Sequence, residues 1–144
     1  MKTNSGWYIH IKHEFKSKDA PFFVPNSQGA KIHSSVFPKD GEIEVLKNEV
    51  NSYKGTNLKE ILDSLEIENL IIVGAMSHMC IDAITRASSD YGYSCFVAHD
   101  ACATLDLEFN GIKVPAKMVH ASFMSALSFA YAKIESTKDI LELI

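Results

Sequence analysis

Leu70-Ile71-Ile72-Val73 is a short apolar run rich in β-branched residues that stops at Gly74 and gives way, past Ala75 and Ser77, to a helical pattern from Ile81 to Tyr91. So short a run bounded by Gly reads as a strand, and the segment as a whole as strand, turn, helix. The alternation recurs along the chain. Trp7 to His13 is a strand, Lys16 to Asp40 a long loop holding Pro21, Pro25, Pro38 and Gly29, and Glu42 to Leu46 a short strand. Thr56 caps a helix carrying Leu58, Ile61, Leu62 and Leu65 at helical spacing. Gly92 ends the helix after the turn, Tyr93 to Ala98 is a further strand, and a polar loop leads to Pro115. Ala116 to Ala130 is a long helix, Tyr131 to Ile134 a short strand, and Thr137 to Leu143 a closing helix. Strands alternating with helices predict an α/β domain over residues 1–144: a three-layer α/β/α, Rossmann-like, mostly parallel sheet with helices on both faces. Ligands of such sheets bind beyond the carboxyl ends of the strands, where His13 and Cys80 fall.

A chain of 144 residues, 47% hydrophobic and 22% charged, is long enough to bury one substantial core. Its net charge of −4 and its scattered lysines give no basic stripe, so neither nucleic acid nor an anionic membrane surface is an expected partner. No apolar stretch approaches the length of a membrane helix, Met1 to Ser5 leads into no signal-peptide core, and a cytoplasmic location is expected. Cys80, Cys95 and Cys102 are odd in number and lack close paired spacing, which argues for reduced thiols and against a disulfide framework or a structural zinc. The six histidines show no helical ligand spacing, so no metal and no cofactor are expected.

Cys80 stands where the helix opens. Unpaired N–H groups and the helix dipole at such a place favour the nucleophilic thiolate and can hold a developing oxyanion; the plain alternative is a small buried hydrophobe. A cysteine nucleophile also needs a nearby cation or proton acceptor. Lys47, at the end of the strand that begins at Glu42, is the candidate, against an ordinary solvated lysine. His78 reads as a surface or hydrogen-bonding residue more readily than as a base. His13 either lines a pocket or binds the long loop. Asp100 suits a cap. Phe22, Phe23 and Phe37 either close over a substrate or fasten the loop to the core.

Five segments in order, Ile11 to Phe15, Val45 to Leu58, Val73 to Ala83, Asp100 to Ala103 and Lys117 to Ala121, resemble the isochorismatase-like cysteine hydrolases, which include nicotinamidases and N-carbamoylsarcosine amidases. The resemblance implies their fold and an Asp, Lys, Cys triad in which Lys47 and Cys80 match the second and third members. It implies a thioester acyl-enzyme on Cys80, a cis peptide between Ala75 and Met76, and an oxyanion site made by the backbone N–H groups of Met76 and Cys80. His13, His78, Phe22 and Phe23 are the pocket candidates. Retention of the Cys points to the amidase branch. Ile11 stands where zinc-binding nicotinamidases carry an Asp, which disfavours that activity and a metal.

In the family the triad Asp ends a strand that, with a helix, precedes the segment matching Trp7 to His13. That strand and helix are expected to be absent from residues 1–144, and no catalytic Asp is assigned. Two functions are compatible with this. One is hydrolysis of a C–N bond in a small amide or ureido substrate; the other is a catalytically impaired remnant serving as a binding or regulatory subunit. A homo-oligomer is expected, and the small-residue face Ala121, Ser125, Ser128 and Ala132 is either its contact or part of the core.

Overall fold

In the computed structural model, which describes residues 6–143, the chain forms two units, Met1–Leu62 and Asp63–Ile144. In the first, β1 (Ile9–His13) pairs in parallel with β2 (Ile43–Lys47), in register from Ile9 opposite Ile43 to His13 opposite Lys47. Glu44 and Leu46 are exposed while Val45 and Lys47 are buried, the period-two pattern of a half-buried strand. The connection between them is irregular apart from single 3₁₀ turns at Gln28–Ala30 and Ser34–Val36. It is tied to the strand ends where the Glu14 N–H donates to the Lys47 carbonyl (3.0 Å) and the Phe15 N–H to the Phe23 carbonyl (2.9 Å). α1 (Leu58–Ser64) starts two residues after Thr56, whose hydroxyl accepts from the Leu58 N–H (3.3 Å) and donates to the Ser52 carbonyl (2.6 Å). Leu58 and Leu62, four residues apart, are its buried positions.

The second unit opens with β3 (Asn69–Ala75), a π-helical turn (Ser77–Ile81) and α2 (Asp82–Asp90). α2 ends as its glycine requires: Gly92 lies at φ +94°, its N–H donates to Ser89, and the Tyr93 N–H donates to Ser88. β4 (Ser94–Ala103) runs five residues beyond the expected Ala98. Its ladder with β3 explains the extension: Val97 pairs with Ile72 and Cys102 with Gly74, so residues 98–101 bulge opposite Val73 alone before pairing resumes. The expected polar loop is in fact partly a hairpin, β5 (Leu107–Phe109) and β6 (Ile112–Val114), turning at Asn110 (φ +51°) and Gly111 (φ +76°). Asn-Gly supplies the two positive φ angles that such a turn needs.

α3 (Ala116–Ala130), β7 (Lys133–Glu135) and α4 (Thr137–Leu143) complete the unit. β4 is the middle strand of a parallel sheet of order β3-β4-β7. α2 and α3 pack on each other, α2 and α4 on β4, and α3 on β7. Val97 and Leu127 are wholly buried at the centre, with Ala98, Val119 and Ile72 nearly so. Asp100, in the bulge, accepts from both the N–H and the hydroxyl of Thr137 (2.7 Å each) and so caps α4. Ala121, Ser125 and Ser128 are exposed, which removes them from the core. Among the described residues no helix is long and apolar enough to cross a membrane.

Candidate active site

β3 delivers the chain to the turn that carries Cys80. Gly74 has φ +126°, a conformation L side chains rarely adopt, although a Cβ there would meet only Ile81 Cδ1 at 3.7 Å. Backbone angle, and not space, is what calls for glycine. The Ala75–Met76 peptide bond is cis. The Met76 carbonyl then accepts from the N–H groups of Met79 (3.0 Å) and Ile81 (3.2 Å), the second a five-residue π-type bond. Cys80 therefore lies in a widened turn just before α2, not within the α-helix, and is half-buried.

Packing separates the three thiols. Burial pushes Cys95 up to about 11, and its Sγ points at the carbonyls of Tyr93 (3.6 Å) and Thr85 (3.9 Å). Burial also raises Cys102, an effect that the Gly74 N–H partly offsets. Ser77, the first residue of the turn, is wholly buried, with Oγ 2.8 Å from His120 Nδ1 on α3 and 3.3 Å from the Ala103 carbonyl oxygen. His78 Nδ1 lies 2.6 Å from Thr104 Oγ1, and its ring meets Phe123 edge-on at 6.1 Å. His78 is thus engaged in hydrogen bonding, one of its two expected roles.

In the first unit Lys47 is 3% exposed, and its Nζ donates to the Val50 carbonyl at 2.6 Å. The solvated-lysine alternative fails because Lys47 shares the inward face of β2 with Val45. Its register partner His13 is also buried, and burial, followed by the Lys47 charge, pushes the imidazole below its ordinary value. Around that ring stand Phe15 (centroids 4.6 Å apart) and Phe23 (5.1 Å), and Phe22 packs on both phenylalanines. The pocket candidates His13, Phe22 and Phe23 therefore form one cluster, with Phe15 as a member that the sequence did not single out. Phe37 is 62% exposed and has no part in it. A cleft of about 320 Å³ opens beside the strand ends, lined by Phe15, Pro21, Asn48 and Glu49 among others.

The His13 shift carries a pH dependence. A histidine whose folded value is lowered binds its proton more tightly in the unfolded chain, so its contribution is complete above about pH 6.5 and is lost as pH falls toward the folded value. Denaturant midpoints measured between pH 7.5 and 5 should fall with acidification, and His13→Gln should flatten that part of the profile. An unchanged slope in the variant would assign the acid sensitivity to other groups.

The first unit thus holds a buried lysine opposite a buried histidine, and the second a half-buried thiol in the turn before α2. A half-buried thiol at such a turn is chemically suited to attack on a carbonyl. Among the described residues no group of three or more His, Cys, Asp or Glu is arranged to hold a metal ion.

Comparison with known proteins gives a consistent set of likenesses. Residues 1–118 match the family model described as the isochorismatase domain. An uncharacterised isochorismatase family protein of Bacillus subtilis is 41% identical over 134 residues, which is 93% of this chain and 74% of that one. The crystal structure of a putative isochorismatase hydrolase from Oleispira antarctica superposes with a TM-score of 0.89 at 61% identity, covering 93% of this chain and 71% of the other. Over shorter stretches the chain is 32% identical to a streptothricin hydrolase of Streptomyces noursei (74% of this chain, 38% of that one).

Proposed function

The chain belongs to the isochorismatase family, and from that premise we propose that it is a cysteine hydrolase that cleaves a C–N bond of a small amide or ureido substrate through an acyl-enzyme on Cys80. The observation that carries the reading is the contrast among the thiols. Cys80 lies half-buried in the turn between β3 and α2, whereas burial pushes both Cys95 and the likewise half-buried Cys102 toward the protonated form. Cys80 Sγ attacks the carbonyl carbon, a C–S bond forms, and the oxygen takes the negative charge. The Met76 and Cys80 N–H groups receive that charge, and Lys47 supplies a positive field for the thiolate. Collapse breaks the C–N bond, the amine leaves with a proton, and water cleaves the thioester to an acid and the free thiol. A relative named as an N-carbamoylsarcosine amidase supports C–N cleavage over attack on an ether.

The test is a panel of small carboxamides and N-carbamoyl compounds, with intact and peptide masses taken after rapid acid quench. The expected result is an acyl increment on the peptide holding Cys80, together with loss of turnover in Cys80→Ala. Turnover that survives in Cys80→Ala, or an increment on Cys95 or Cys102, overturns the reading.

A further inference from the structure

We propose that Ser77 and His120 are positioning residues that fix the aim of the nucleophile turn. This rests on Cys80 being the nucleophile and adds two residues to that site. Ser77 has no solvent exposure, so its hydroxyl must find partners within the protein. A serine hydroxyl offers one proton and two lone pairs. The Ala103 carbonyl at 3.3 Å can only accept, and His120 Nδ1 stands at 2.8 Å. One arrangement satisfies both contacts: Nδ1–H of His120 donates to Ser77 Oγ, and Ser77 O–H donates to Ala103. The chain of bonds sets the His120 tautomer and ties three elements together, the turn by its first residue, β4 by its last, and α3 by its second turn.

The turn's own bonds, from Met79 and Ile81 back to Met76, hold its shape but do not anchor it to the rest of the unit. Ser77 does. It comes directly after the cis bond and stands three residues before Cys80, so a tilt of the turn at Ser77 redirects the Met76 and Cys80 N–H groups together. Oxyanion donors work only when held at the position the charge will occupy. Loss of the Ser77 anchor should therefore impair steps that develop an oxyanion and spare those that use the thiol alone.

Two reagents separate those steps on the full chain. Iodoacetamide alkylates by displacement: the C–S bond forms as C–I breaks, iodide leaves, and no tetrahedral oxyanion arises. p-Nitrophenyl acetate acylates Cys80 through a tetrahedral oxyanion and expels nitrophenolate. In Ser77→Ala and His120→Leu, nitrophenolate release should fall on the order of tenfold or more while Cys80 alkylation stays within about twofold of wild type. His120→Asn, whose side-chain N–H can stand where Nδ1–H stood, should recover most of the loss. His120→Gln, with its donor one carbon further out, should not, and this pair carries the test if Ser77→Ala does not fold. Both rates unchanged, or both falling together with a lowered melting temperature, overturns the positioning role. Ester hydrolysis that persists in Cys80→Ala overturns the nucleophile assignment instead, and the two failures are told apart by that control.

Discussion

Cys80→Ser should lose on the order of a thousandfold or more of the hydrolytic activity, since a serine hydroxyl is almost wholly protonated near neutral pH and lacks the thiol's intrinsic nucleophilicity. Sulfur and oxygen differ little in size, and the site is half-buried, so unfolding free energy should change by less than about 1 kcal/mol. The same chemistry predicts the order of thiol labelling. Cys95, moved from 9.0 to about 11, carries about a hundredfold less thiolate than an ordinary cysteine at a given pH below 9, so it should react last. Cys102, raised by burial, should also lag behind Cys80. Timed alkylation with peptide mapping reads all three. Equal rates would mean that no thiol is set apart, and the binding-subunit alternative would then fit better than the enzyme.

Lys47→Met should separate function from stability. An ammonium held at 3% exposure has given up most of its hydration, and the 2.6 Å bond to the Val50 carbonyl recovers only part of that cost. Methionine occupies similar volume without a charge to desolvate. The variant should therefore fold at least as stably as wild type, while hydrolysis falls by about a hundredfold or more if the charge stabilises the thiolate and the oxyanion that its attack creates. Its loss also removes the second of the influences that hold His13 down, so the loss of stability on acidification should become smaller than in wild type. Thermal melts at pH 7.5 and 5.5, with turnover measured on the same samples, decide the matter. Undiminished turnover would remove Lys47 from the mechanism. Collapse of the fold would make it a structural residue.

Several parts of this protein were legible because their causes lie within a few residues. Helices α3 and α4 have the expected bounds, Ala116–Ala130 and Thr137–Leu143. Gly92 caps α2 as its position implies. The hairpin at Asn110-Gly111 was equally readable from its turn residues, but the polar character of the segment hid it. The inward side of Lys47 was written in the alternation from Ile43 to Lys47, yet the usual exposure of lysine outweighs that pattern when the residue is read alone.

The family was recognisable from five ordered segments, because motif order is a property of the chain itself. The length of β4 was not legible. It depends on β3 resuming its pairing at Gly74 after the bulge, and a partner strand more than twenty residues away leaves no local mark. The sequence singles out Cys80 by its place after the strand and by the family resemblance, but says nothing of how Cys95 and Cys102 differ from it in environment. The burial that raises Cys95 and Cys102 exists only once α2, β4 and the turn have packed. Ser77 and His120 are 43 residues apart and carry no shared signal, so only the packed fold makes them neighbours. Backbone preference acts along the chain, whereas desolvation and side-chain hydrogen bonds act through space, and the chemistry of this protein depends on the second kind.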